Sequence, residues 1–302
     1  MNLLKRSMIA AVTLGGLLTA GATPASAIVG GQDASQSYPG MTALSTFFPG
    51  IGTAKCGAML IHPRWLLTAA HCLSDPTAAP TPVPALAGNV TARIGSTDRT
   101  TGGLVAIGKR VYLHPEWMWA AMPGKPVADL ALVELTRAVP LPLMPVSWRQ
   151  IRAADPARLI GWGLTQYPPP PGTTIPEVLQ ERNTTRLPST ACVGGFAGVG
   201  DTCFDTGACF GDSGSPALRP AGTGPHGIRR WAAVGIASRE TSETDPCGGP
   251  TVYTDPTYAP FRKWIITTTL TSKIQPCTCP PVRTLDTAGS ERINLLRPLI
   301  VR

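Results

Sequence analysis

Three residues of types that cooperate in nucleophilic catalysis stand in distinctive surroundings within the 302-residue sequence. Ser213 lies in Gly211-Asp212-Ser213-Gly214-Ser215-Pro216, shortly after Cys209. Glycines on either side let the backbone turn sharply and leave successive N–H groups free to point at a substrate oxygen. A serine hydroxyl is a poor nucleophile until a positioned base takes its proton. Thr68-Ala69-Ala70-His71-Cys72 offers such a base, an imidazole at the end of an apolar strand, held by a neighbouring cysteine. That base needs an acid to orient it. Asp129 opens the apolar run Leu130-Ala131-Leu132-Val133, at the entrance of a buried strand where a carboxylate is costly without a partner. Together these groups point to acyl transfer, with the Ser213 hydroxyl attacking a carbonyl carbon.

The elements that must hold these residues read as strands. Apolar runs bounded by turn signals recur at Ala58–Ile61, Trp65–Thr68, Val90–Ile94, Leu104–Ile107, Leu130–Leu135, Ala157–Ile160, Ala232–Ile236 and Thr251–Thr254. Glycine and proline number 32 each while charged residues are only 15%, which favours short strands and tight turns over long amphipathic helices. An all-β barrel or sandwich is expected. The Pro/Ala-rich stretch Ser74–Asn89 and the four prolines Pro168–Pro171 read as loops. A crossover between two halves is expected near Leu143–Asp155. Phe261, Trp264, Ile265 and Thr268 recur at helical spacing, predicting one helix over about 257–270.

Composition narrows the function classes. The formal charge is +8, but the first 27 residues and the stretch 271–302 together hold five of those charges, leaving +3 for the body. That surplus is too small and too scattered for a nucleic-acid-binding face. Lys5 and Arg6, the apolar stretch Met8–Ala20 and Ala25-Ser26-Ala27 read as a secretory signal over 1–27, with no membrane attachment once it is removed. Export would put the eight cysteines in an oxidising compartment, where pairing is the default. No zinc-ligand spacing and no acidic calcium loop occurs, so no metal or cofactor is expected.

At these motifs the chain resembles the trypsin/chymotrypsin family of serine proteases, from Ile28 to about Leu270. The matching pieces are Ile28-Val29-Gly30-Gly31, the block ending His71-Cys72, Asp129-Leu130-Ala131-Leu132, Gly161-Trp162-Gly163 and the Ser213 motif, in the family's order. The resemblance implies an all-β fold of two packed antiparallel six-stranded β-barrels, roughly 28–145 and 155–256, with a C-terminal helix and the active site between the barrels. It implies a catalytic triad of His71, Asp129 and Ser213 and an oxyanion hole formed by the amides of Gly211 and Ser213. It also implies an ion pair between a freed Ile28 amino group and Asp212. Because Ala25-Ser26-Ala27 abuts Ile28, removal of the leader could itself create that terminus without a zymogen stage. Implied disulfides are Cys56–Cys72, Cys192–Cys203 and Cys209–Cys247. For Cys277 and Cys279 a strained mutual bridge, a bond to another chain and the reduced state all stay open. Expected partners are peptide or protein substrates and protein inhibitors, with a monomeric, secreted enzyme.

Pocket residues follow from the same resemblance. Gly207 stands where trypsin-like members carry an aspartate, which argues against Lys or Arg before the scissile bond. Thr251 narrows one wall, favouring small or medium apolar side chains. Ser238-Arg239-Glu240 replaces the family's Ser-Trp-Gly on the other wall. Arg239 could turn inward toward an acidic substrate side chain, though an outward, solvated arginine is the more ordinary placement. Ser215 replaces the family's glycine. The rival class is a non-catalytic binding protein on the same scaffold, since fold alone does not fix activity. His62, His114 and His226 read as structural or exposed, and Trp65, Trp162 and Trp264 as packing residues.

Overall fold

The computed structural model describes residues 28–119, 127–224 and 229–271, and the backbone of two short strands within the tail. The leader over 1–27, His226 and the cysteines Cys277 and Cys279 lie outside the described residues.

The first half closes a barrel from six strands: β2 (Met41–Phe48), β3 (Gly52–His62), β4 (Trp65–Thr68), β5 (Val90–Ile94), β6 (Leu104–Leu113) and β7 (Ala131–Leu135), after a short β1 (Gln32–Asp33). The ring runs β2-β3-β4-β7-β6-β5, every pair antiparallel. Its interior holds Leu44, Leu60, Leu66, Val90, Ile94 and Val133, all essentially without solvent exposure, while Met41, Met59 and Leu67 are buried on the other face of the same strands. Alternation of side chains across each pleat sends the first set to the inside.

The second half contains β8 (Pro156–Gly161), β9 (Gln180–Leu187), β10 (Asp201–Phe204), β11 (Pro216–Thr223), β12 (Arg229–Glu240) and β13 (Thr251–Thr254). Its order is β9-β10-β13-β12-β11-β8, and β8 pairs back onto β9, so six strands return on themselves while β1 adds a seventh at the edge of β9. The β9 pairing depends on a buried polar cluster. Glu181 accepts from Ser35 Oγ (2.6 Å) and Tyr38 OH (2.7 Å) and pairs with Arg158 at 2.8 Å. The Arg158 guanidinium also lies 4.6 Å over the Trp231 ring. Satisfied in this way, a buried glutamate ties the N-terminal arm to the second barrel.

The crossover between the halves is pinned where Ala233 N donates to Pro145 O (2.9 Å) and Ser147 N donates to Ala233 O (2.8 Å). Helix α1 (Ala259–Thr271) follows an Asp255 turn whose carboxylate accepts from Thr257 N and Oγ1. It buries Phe261 and Ile265, and the rings of Phe261 and Trp264 meet His114 at 5.1 and 4.8 Å. His114 is thus a buried packing residue of the first barrel. The tail strands β14 (Thr284–Leu285) and β15 (Glu291–Arg292) pair with each other, antiparallel.

Candidate active site

His71 stands where the buried strand β4 runs through Ala69 and Ala70 into a 3-10 turn, His71–Leu73. The Cys56–Cys72 disulfide fixes the next residue to β3. Asp129 follows Ala128, whose φ of 50° is a left-handed conformation that alanine seldom adopts. Leu130 N donates to Ala128 O at 2.7 Å, closing a tight turn that directs Asp129 inward. The carboxylate is 1% exposed and fully engaged. Oδ1 accepts from His71 N at 2.9 Å, Oδ2 lies 2.8 Å from His71 Nδ1, and Ser238 Oγ donates to Oδ2 at 2.7 Å.

These contacts set the charge states. Burial alone would depress the imidazole, but the Asp129 charge and hydrogen bond override it, with a smaller push from Glu240, and hold His71 above its ordinary pKa. For Asp129 burial pushes upward, yet the His71 charge and the bonds from His71 and Ser238 win and keep the acid below the usual carboxylate range.

Ser213 is positioned from both barrels. Its carbonyl accepts from Gly57 N of β3 at 2.7 Å, while Gly214 N donates to Ala237 O of β12 at 2.8 Å. Gly214 has φ +77°, and a Cβ there would collide with Thr68 and the Gly57 carbonyl; a Cβ on Gly57 would reach Ser215 Cα at 2.8 Å. Backbone must meet backbone here, and only glycine permits it. The amides of Asp212 and Gly214 donate to Cys209 O and Ala237 O. Among the described residues those of Gly211 and Ser213 donate to no protein acceptor. His71 and Ser213 face the same cleft of about 260 Å³.

The Asp212 carboxylate is buried on the opposite side of this loop, accepting from Gly163 N (2.7 Å) and Cys209 N (3.0 Å). A side chain on Gly161 or Gly163 would overlap it, which explains both glycines around Trp162. Burial outweighs the two amide bonds and pushes this acid up to about 7. Ile28 is 1% exposed, in one apolar cluster with Leu159, Phe204 and Ala208. Val29 N donates to Gly207 O at 2.8 Å, and Ile28 has φ +67°, a strained conformation for a β-branched residue.

The cleft wall departs from expectation in the partner that its arginine takes. Gly207 O accepts from Val29 N at 2.8 Å, a side chain at Gly207 would meet Leu159 and Ile28, and the adjacent Ala208 lines the cleft. Arg239 is neither directed at a substrate side chain nor solvated. Its guanidinium is drawn to the buried Asp201 at 2.6 Å and donates to Gly195 O at 2.6 Å, because a buried carboxylate there demands a cation. Ser238, Arg239, Glu240 and Thr251 line the cleft, with Phe210, Ala237 and the Cys209–Cys247 disulfide. Glu240 and Thr251 are cross-strand partners of β12 and β13. The third bridge joins Cys192 to Cys203. Cys56, His71 and Cys72 lie close enough together to suggest metal ligands, but the two sulfurs are bonded to each other and offer no thiolate. Asp201, in Gly200-Asp201-Thr202, and Gly57 carry no sequence signal for the parts they play beside the site; only their neighbours in space reveal them.

Two closed β-rings with a histidine–aspartate pair and a serine on one cleft define a domain of the serine-protease class. The chain belongs to the trypsin family: the Trypsin family model matches residues 28–265. Human granzyme M is 31% identical over 222 residues, covering 67% of this chain and 77% of that protein. Mouse transmembrane protease serine 7 is 27% identical over 233 residues, covering 70% of this chain and 25% of that protein. The human form of the latter is 27% identical over 260 residues, 79% of this chain and 27% of that protein. The chain thus spans about a quarter of the length of these transmembrane relatives. Among the described residues no helix is long and apolar enough to cross a membrane.

Proposed function

We propose that the protein is a secreted serine endopeptidase that hydrolyses peptide bonds through an acyl-enzyme on Ser213. The observation that carries this reading is the bond pattern Ser238–Asp129–His71 ending on a cleft that His71 shares with Ser213. His71, its Nδ1 proton held by Asp129, takes the Ser213 proton on Nε2 as Oγ bonds to the carbonyl carbon. The oxyanion accepts from the amides of Gly211 and Ser213, neither of which donates to a protein acceptor among the described residues. Collapse of the tetrahedral adduct expels the amine, which carries away the proton held by His71. Water repeats the sequence with His71 as base, releasing the carboxylic acid and restoring Ser213.

The cleft favours small or medium apolar side chains before the scissile bond. Its volume of about 260 Å³ is below the roughly 300–1,000 Å³ of common ligand pockets, and Thr251, Ala208 and Ala237 line it with small side chains. Leader removal between Ala27 and Ile28 supplies the amino terminus that pairs with Asp212, whose buried carboxylate has amide donors but no cation among the described residues. Cleavage profiling of a peptide library tests both parts. Hydrolysis after small apolar residues, abolished by Ser213→Ala, is expected. Hydrolysis that survives Ser213→Ala, or its absence from the chain that begins at Ile28, would refute the catalytic reading and favour a binding role.

A further inference from the structure

We infer that the buried Arg239–Asp201 pair positions the triad acid: acting through Ser238, it sets how tightly Asp129 holds the His71 imidazole. The inference rests on the catalytic reading above. Its basis is a continuous line of hydrogen bonds. Arg239 Nη1 donates to Ser238 Oγ at 3.3 Å, Ser238 Oγ donates to Asp129 Oδ2 at 2.7 Å, and the same Oδ2 faces His71 Nδ1 at 2.8 Å. A hydroxyl that accepts from a cation becomes a stronger donor, so Arg239 strengthens the bond that stabilises ionised Asp129.

The guanidinium is fixed by a fan of acceptors that only a planar fork can serve. Nε donates to Gly195 O, Nη2 to Phe196 O (3.3 Å) and to Asp201 Oδ2 (2.6 Å). Its side chain is 17% exposed and that of Asp201 2%. Asp201 Oδ2 also accepts from Gly198 N at 3.1 Å, while its Oδ1 is buried without a partner. Removing the arginine therefore leaves an acid with a single amide for support. The pair also clamps the turn Ser189–Gly195 and Phe196 against the end of β12, where Gly195 lies too close to the Glu240 carbonyl for any side chain.

The charges facing the base come from three elements. Asp129 reaches His71 from the segment before β7, Glu240 acts from the end of β12, and Asp201, on β10, acts on Asp129. In the intact pair the charges of Arg239 and Asp201 offset one another. Arg239→Met weakens the Ser238 bond and leaves any charge on Asp201 uncompensated, so His71 holds its proton more firmly. Asp201→Asn leaves the cation unbalanced, and His71 releases its proton more readily.

The test is the acid limb of the kcat/KM–pH profile, together with an NMR titration of the His71 imidazole that needs no turnover. Arg239→Met should move both upward by about half a unit to one unit, and Asp201→Asn downward by a similar amount. The neutral double variant Arg239→Met/Asp201→Asn should fold even where a single variant does not, and should move upward by less than Arg239→Met. Arg239→Lys should recover part of the wild-type position. A purely structural pair would lower stability or raise KM in every variant with the limb and the titration unmoved, and that result overturns the inference. A wild-type chain lacking Ser213-dependent hydrolysis would overturn the catalytic reading, while the NMR titration would still decide whether the pair is coupled to His71.

Discussion

Asp212 supplies a prediction whose size follows from the structure. With residue 27 still joined to Ile28, this acid is buried beside two amides and pushed from 3.8 up to about 7. A group whose folded pKa is raised binds its proton more tightly when folded, so stability is greatest at acid pH and declines as pH climbs from about 4 to about 7. About three units at about 1.4 kcal/mol each make a loss of about 4 kcal/mol across that window. A free Ile28 amino group changes the sign. Paired with Asp212 it holds the carboxylate ionised, and its own raised pKa keeps the contribution whole until pH rises through that value, above about 8. The left-handed φ of Ile28 is defined by the bond to residue 27, so cutting that bond also relieves about 1–3 kcal/mol of strain independent of pH. Two forms should be compared by urea unfolding, read from tryptophan fluorescence with the disulfides intact. One begins at Ile28, and the other keeps residues before it behind a blocked cleavage site. Contributions shared by both forms cancel. The stability gap in favour of the Ile28 form should widen by about 3 kcal/mol between pH 4.5 and 7.5, part of the full loss having occurred below pH 4.5, and shrink again in strongly alkaline solution. A gap constant over that acid-to-neutral range would refute the reasoning.

Other expectations follow from single positions. Ser213→Ala should lower kcat by on the order of 10⁴-fold or more with little change in KM, measured on a chromogenic peptide. Gly57→Ala forces β3 away from Ser215 and should cost about 1–3 kcal/mol in unfolding free energy as well as activity; a neutral outcome would contradict the close approach of the barrels. Thr251 Oγ1 is buried without a partner, so Thr251→Val should change stability by less than about 1 kcal/mol, whereas Thr251→Gly should shift cleavage about tenfold or more toward bulkier apolar residues. Loss of the Cys56–Cys72 bridge, whose partners are 16 residues apart, should cost about 3 kcal/mol and lower kcat through the freed His71 turn.

The site was more legible in sequence than the sheet around it. His71, Asp129 and Ser213 announce themselves because catalysis needs particular side chains in a tight backbone setting, and such settings leave short, dense motifs. Strands β4, β5, β7 and β13 stand out as compact apolar runs. By contrast β9, Gln180–Leu187, contains no apolar run to mark it as a strand, yet it is paired on both sides and buries Gln180 and Glu181. Its stability comes from Tyr38 and Arg158, distant partners that no local pattern encodes. Strand β11 starts at Pro216 and contains Pro220, which argues against a strand until its position against β12 and its register shifts are known. Arg239 differs from expectation for a related reason: a solvated arginine is the rule on surfaces, and Asp201, 38 residues away in sequence, draws this partly buried guanidinium to its own buried carboxylate.

The central claim is that one imidazole, steered by Asp129, removes the proton from one hydroxyl. Its most direct test is mass spectrometry of the intact chain after treatment with a sulfonyl fluoride or an organophosphonate. The account predicts a single adduct per chain, mapped to Ser213 and formed at a rate that collapses in His71→Ala and falls in Asp129→Asn. An adduct on another residue, or Ser213 labelling that proceeds undiminished without His71, would contradict it.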